Sequence, residues 1–307
     1  MRQPRSKSPP SLPETAAGSM RIEAALREQQ RLVAAGATCL QDASVADVHH
    51  ARVAARRLRS LLKTYRPLLD ARRARLYRID LRSFARALAG VREADVRRDM
   101  LLALARREPA VTPVEFQRLS VQLEDQCLAT RQALRRHLGE PGWAALGKAL
   151  ERHSTSERLL VRRDAGIERA LDLVDESWRK AVRLLEDEPE DAAGLHELRL
   201  ALKHCRYALE SMADVAPKSA ARLMRRLRAA QDGIGEHRDA VLARHWVQSN
   251  ERSLGRLLTR RLLRLLERRE IQLRKQAVAR SRKVLPGYRT WGKATRRIKT
   301  AATRGPA

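Results

Sequence analysis

Residues 48–65 read "VHHARVAARRLRSLLKTY", with five Arg or Lys residues, two His and no carboxylate between Val48 and Tyr65. Asp70 is the first acid downstream. On a helix that turns about 100° per residue from His49, Arg52, Arg56, Arg59 and Lys63 fall near ~300°, ~340°, ~280° and ~320°. Four cations thus share a stripe about 60° wide, with His49 at its edge. Ala51, Ala54, Leu58, Leu61, Leu62 and Tyr65 take the opposite face, so the helix is amphipathic with an apolar seam. Like charges three and four residues apart cost roughly 0.2–0.5 kcal/mol per pair, and no acid within the segment offsets this. Two readings follow: a solvated outer face, or a stripe shaped for an anion.

A second stretch decides between them. "LHELRLALKHCRYALESM", Leu195 to Met212, aligns with the first without a gap at a shift of 147 positions. His49 meets His196, Arg52 meets Arg199, Arg56 meets Lys203 and Arg59 meets Arg206. The seam recurs too, with Leu58 on Cys205, Leu62 on Leu209 and Tyr65 on Met212. Packing explains a repeated seam but does not require a repeated basic stripe. The copies differ where Arg57 is matched by His204 and Lys63 by Glu210. Glu210 is placed to pair with Arg206, so the second stripe is the weaker one.

The next helix in each half is also basic. Arg75, Arg78, Arg82 and Arg86 share one face in "RLYRIDLRSFARALAGVREADV". Aligning Asp95 with Asp239 sets Arg78 on Arg222 and Arg82 on Arg226 in "ARLMRRLRAAQDGIGEHRDAV", now at a shift of 144. Arg92 and Asp95 stand three apart and read either as a structural pair or as a functional Arg. Between Glu251 and Val284 a long helix carries Arg252, Arg256, Arg260, Arg264 and Arg268 at four-residue steps, read as a solvated outer face.

Composition narrows the partner. Against 64 Lys and Arg the chain of 307 residues has 36 Asp and Glu, a formal net charge of +28. Such a charge opposes compaction unless something anionic screens it, and it points to nucleic acid, an anionic membrane surface or polyphosphate. Arg dominates, and its planar fork binds phosphate oxygens in pairs. Cys39, Cys127 and Cys205 lie far apart with no CxxC, which argues against a disulfide framework and fits a reducing cytoplasm. No apolar run approaches a membrane span, and no signal peptide is expected.

Residues 1–19 are rich in Pro, Ser and charge and are expected to be disordered; residues 286–307 read as a basic C-terminal tail. Between them the periodicity is helical, with breakers near Pro67, Pro109, Gly139, Pro189 and Pro217. With aromatics at 3%, the core must be Leu, Ala and Val.

The doubled HxxRxxx[RK]xx[RK] helix, each copy followed by a basic helix ending near an Asp, resembles the CHAD domain (conserved histidine α-helical domain). The resemblance covers about residues 20–285, with halves at about 20–155 and 156–285 and "LGEPGWAALGKALE" as the linker. It implies an all-α fold of two pseudo-symmetric helical bundles, an internal duplication around a basic cavity. It also implies binding of inorganic polyphosphate and residence at polyphosphate granules. Many family members carry a CYTH triphosphatase domain, for which this chain has neither room nor an ExExK signature. The site residues expected are His49, Arg52, Arg56, Arg59, Lys63, Arg78 and Arg82 in the first half. Their counterparts are His196, Arg199, Lys203, Arg206, Arg222 and Arg226. Each His either donates to phosphate or holds an Arg in place; His50 and Arg57 point away from the stripe.

Three rivals stand beside this reading. A nucleic-acid binder fits the charge, and the basic tails suit weak DNA binding. Helix-turn-helix, zinc-finger and RNP signatures are absent, however, and few aromatics are available for base stacking. An enzyme, metal-dependent or otherwise, finds no HExxH, P-loop or GxSxG, so neither catalysis nor a metal or other cofactor is expected. The third rival is a scaffold docking acidic proteins.

Overall fold

Leu, Ala and Arg at helical spacing leave little but helix available, and no strand occurs among the described residues. The computed structural model describes residues 17–38, 45–155, 159, 165–189 and 191–304. Most of the segment expected to be disordered lies outside these residues. Its end does not fit that expectation: α1 (Ala17–Thr38) already includes Ser19, which is buried and donates its backbone N–H to Ala165.

The motif helices are α2 (Val45–Thr64) and α8 (Ala192–Glu210). Their seams are buried: Ala51, Leu58, Leu62 and Tyr65 on one, Leu198, Cys205, Leu209 and Met212 on the other. The two helices pack on each other. Ser60 Oγ lies 2.6 Å from His204 Nδ1, and the Tyr65 and Ser211 hydroxyls share a hydrogen bond. The Arg57 guanidinium lies 6.0 Å from the Tyr207 ring centroid. Under the 147-residue shift Ser60 becomes Tyr207 and Arg57 becomes His204. The Ser60–His204 and Arg57–Tyr207 contacts therefore exchange under that shift.

Capping explains the boundaries that breakers only hinted at. Asp70 accepts from the Arg73 N–H at 2.8 Å and starts α3 (Ala71–Ala87). A break in the helix at Leu88 separates α3 from α4 (Ala89–Arg106). Thr112 and Glu115 form a reciprocal capping box, with Pro113 in the first turn, at the start of α5 (Pro113–Leu138). Asp191 caps α8 through the Gly194 N–H. Each such cap contributes about 1 kcal/mol. Helix α6 (Pro141–Thr155) carries the linker motif, and α7 (Ile167–Glu186) buries Leu171, Val174 and Trp178.

In the second half there is no break where α3 and α4 part: α9 runs unbroken over Pro217–Ser249. The long helix expected over 251–284 is divided at Gly255, whose φ of +87° suits glycine, into α10 (Glu251–Leu254) and α11 (Arg256–Arg282). Arg252, Arg256, Arg260, Arg264 and Arg268 are all exposed, as an outer face requires.

Two apolar cores result, each drawing on both halves of the sequence. The larger joins α1–α3, α6–α8, the first part of α9 and α12. The smaller joins α4, α5, the end of α9, α10 and α11 through Leu101, Leu119, Leu123, Trp246, Val247 and Leu262.

The C-terminal expectation is corrected. Most of the supposed tail is α12 (Val284–Arg304), which packs on α7 and α9. Its Trp291 is fully buried, and Tyr288 stacks on Trp178 with ring centroids 4.3 Å apart. Basic composition concealed a helix whose single apolar edge carries two aromatics. Removing a buried Trp costs about 3–5 kcal/mol. Trp291→Ala, and truncation after residue 285, are therefore expected to lower the thermal midpoint by several degrees in circular dichroism melts. A true tail would leave it unchanged.

Candidate functional site

The basic stripes of α2 and α8 face one cleft of about 950 Å³, walled also by α4 and α9. Eleven Arg or Lys side chains line it against four carboxylates. Of the residues expected from the sequence, His49, Arg52, Arg56, Arg59, His196, Arg199, Lys203 and Arg206 line this cleft together.

The others lie outside. Lys63 is exposed beyond the lining, near His204. Arg78 and Arg82 stand close enough to Arg59 to depress its pKa after burial, so they flank the cleft without lining it. Arg222 is exposed, and Arg226 donates to the Lys283 carbonyl at 3.2 Å beside Gly287. The register anchored on Asp95 and Asp239 was at fault. Arg92 and Glu93 line the same cleft as Arg238 and Asp239, which sets the shift at 146. At that shift the counterpart of Arg82 is Arg228, a lining residue, and Arg78 falls on the partly buried Met224.

Asp95 does not pair closely with Arg92. It is buried and meets Arg131 at 2.7 Å and Arg98 at 3.9 Å, which leaves Arg92 to the cleft. Arg57, placed away from the stripe in the sequence, also lines the cleft and meets Glu210 at 3.2 Å. Of the two readings of Arg92, the cleft position favours the functional one; Arg97, Arg228 and Arg238 were missed as site residues. A recoverable signal lay in the paired dipeptides Arg92–Glu93 and Arg238–Asp239, which share the 146 shift.

How so many cations are held apart from acids is visible side chain by side chain. Arg52 donates to the carbonyls of Leu88 and Ala89, at 3.0 and 3.1 Å, at the break between α3 and α4. Arg56 donates to the Tyr207 hydroxyl at 2.7 Å, and Arg206 donates to the same oxygen at 3.2 Å. The Arg56 and Arg206 guanidinium carbons also lie 5.9 and 4.9 Å from the Tyr207 ring centroid. Arg199 lies against Gly235, where a Cβ would stand 3.0 Å from its Nη2. Its Nε is buried without a hydrogen-bond partner.

Three of the four carboxylates are engaged by arginines. Glu210 bridges Arg57 and Arg206, the latter at 3.5 Å, and Glu93 meets Arg238 at 3.4 Å. No ion pair involves Arg52, Arg56, Arg59, Arg92, Arg199 or Lys203 among the described residues.

Burial and mutual repulsion act on Lys203, on both motif histidines and on Arg52, Arg59 and Arg199. Lys203 is pushed down to about 6, first by burial and then by Arg199, Arg56, Arg238 and Arg206. Burial, then Arg92, lowers His49; burial, then Arg238, lowers His196. Arg52 and Arg199 are lowered by burial first, yet a guanidinium stays charged in proteins. His204 is pushed down to about 4 by burial and hence is neutral, a polar link to Ser60 in place of a cation. Among the described residues no three His, Cys, Asp or Glu side chains gather as metal ligands. No described helix is long and apolar enough to cross a membrane.

Comparison with known proteins agrees with this architecture. Among solved structures, PptA from Streptomyces chartreusis superposes with a TM-score of 0.69 at 19% identity, over 89% of this chain and 99% of that one. The CHAD domain from the plant Ricinus communis superposes with a TM-score of 0.64 at 20% identity, over 94% of this chain and 96% of that one. No curated protein matches the sequence. The CHAD domain family matches residues 22–248, most of both halves and both motif helices, and the chain belongs to that family.

Proposed function

We propose that the cleft binds inorganic polyphosphate, and that the protein acts as a binding protein and not as an enzyme. One observation carries this reading: arginines and a lysine from both motif helices face one cleft, and Arg52 and Arg56 are anchored there by neutral groups. Backbone carbonyls, a phenol oxygen and an aromatic face position the guanidinium groups without cancelling their charge. A flexible chain with about one negative charge per phosphate supplies what the cleft lacks. It needs no base readout, and each added phosphate adds a charge-assisted contact. The family resemblance points the same way, and residence at polyphosphate granules follows from such binding.

Binding is tested by titrating long polyphosphate, orthophosphate and duplex DNA at matched salt. Long polyphosphate should bind far more tightly than orthophosphate, with an affinity that falls steeply as salt rises. Equal affinity for the two would exclude a multi-site cleft.

Substitutions then apportion the site. Each charge-assisted contact to phosphate contributes roughly 1.5–3 kcal/mol before solvent screening. Arg56→Ala combined with Arg199→Ala should weaken long-polyphosphate binding at least about tenfold. Glu210→Gln should strengthen it a few-fold by freeing Arg57 and Arg206. Circular dichroism confirms folding in each case.

The lysine gives the binding a pH signature. Free Lys203 titrates at about 6 and is neutral at pH 7.5; an anion beside it raises that value. The complex then holds a proton that the free protein lacks. Affinity should therefore fall as pH rises above about 6, until the pKa of the bound state is passed. Calorimetry at pH 7.5 in two buffers of different ionisation enthalpy should show proton uptake on binding, and Lys203→Met should abolish most of it.

A further inference from the structure

Inorganic polyphosphate has no apolar surface, yet the cleft does. Leu200 and Leu242 line it with 53% and 37% of their surface exposed, and Val53 and Val96 line it beside them. At the end formed by α4 and α9, the Arg97 guanidinium carbon lies 5.6 Å from the Trp246 ring centroid. The buried Nε of Arg97 and Nε1 of Trp246 both lack a hydrogen-bond partner, and both residues line the cleft. Trp246 is only 7% exposed, so its ring backs the guanidinium while little of it meets solvent. A guanidinium plane supported by an indole, with free donors at its edge and leucine beside it, suits a planar, acceptor-bearing heterocycle.

We propose that the cleft takes a nucleoside oligophosphate, its phosphates on the α2–α8 cations and its base stacked at the Arg97–Trp246 end. This rests on the phosphate-chain reading of the same cleft and adds an organic terminus to it. Spacing supports the placement. Arg97 and Trp246 follow Arg92 and Arg238 by five and eight residues, about 7 to 12 Å along their helices. Ribose and base can span that distance. Val96 precedes Arg97 on α4 and Leu242 lies one turn before Trp246 on α9, so apolar surface adjoins this end for sugar and base carbons to bury.

The test compares ATP with tripolyphosphate by calorimetry at matched salt without divalent metal. The two carry equal numbers of phosphates, and tripolyphosphate carries the greater charge, so electrostatics alone ranks it at least equal. ATP is expected to bind about fivefold more tightly or better, the size of one stacked base. Arg97→Lys keeps the charge and removes the plane; Leu242→Ser removes exposed apolar surface. Both should erase the preference for ATP, and Leu242→Ser, which removes no charge, should change tripolyphosphate affinity less than about twofold. Wild-type ATP binding equal to or weaker than tripolyphosphate overturns the proposal. A parallel titration with long polyphosphate separates the two readings. Tight polyphosphate binding without a preference for ATP overturns only this one, whereas failure of both ligands overturns both.

Discussion

Three guanidinium groups, from Arg56, Arg57 and Arg206, converge on one tyrosine where α2 meets α8. Two unit charges about 6 Å apart repel by roughly 3 kcal/mol at an effective dielectric constant near 20. The helices nevertheless pack at that point, because Tyr207 offers its oxygen to two of the cations and its ring to all three. The buried seams below supply the attraction that keeps the crossing closed. The cleft, its charge and the packing of the two halves all depend on that balance.

The choice of neutral anchors has a consequence for ligand binding. A carboxylate would hold an arginine as firmly as a carbonyl does, but it would also neutralise it. Arg52 on the Leu88 and Ala89 carbonyls keeps its full charge and spends few of its five donors. Where a carboxylate replaces a cation, it marks the weaker half: Glu210 stands where the first half has Lys63, whereas Glu93 and Asp239 give each half an acid at the same place. Asp239 is raised by burial and lowered by Arg199 and Arg238, so it competes with any anion for Arg199.

Much of this was legible in the sequence. A 147-residue repeat of both seam and stripe identified α2 and α8, and eight of the expected side chains line the cleft. The seam was legible because apolar period and burial are the same fact on a helix. The second pair of helices was less so. The first half breaks at Leu88 while α9 continues. Arg222 and Arg226 were misplaced because Asp95 was matched to Asp239, whose counterpart in the cleft is Glu93. Tyr207 was invisible because its counterpart is Ser60, so the repeat gave no sign of it. Helix α12 was hidden by its charge, since Trp291 and Tyr288 form too narrow an edge to outweigh the surrounding basic residues.

Ser60 and Tyr207 also show how a near-symmetric site becomes asymmetric. At the repeat position of Tyr207, Ser60 is too short to gather guanidinium groups and binds neutral His204 instead. His204 replaces Arg57, so one side of the crossing gives up a cation where the other keeps a cluster. The first-half cations Arg56 and Arg57 thus meet second-half Arg206 on the side that holds the tyrosine, while Lys63 on the other remains exposed. A bound anion would find the densest unpaired charge near Arg56, Arg199 and Lys203. There, contributions from the two halves interleave and neither half makes the site alone.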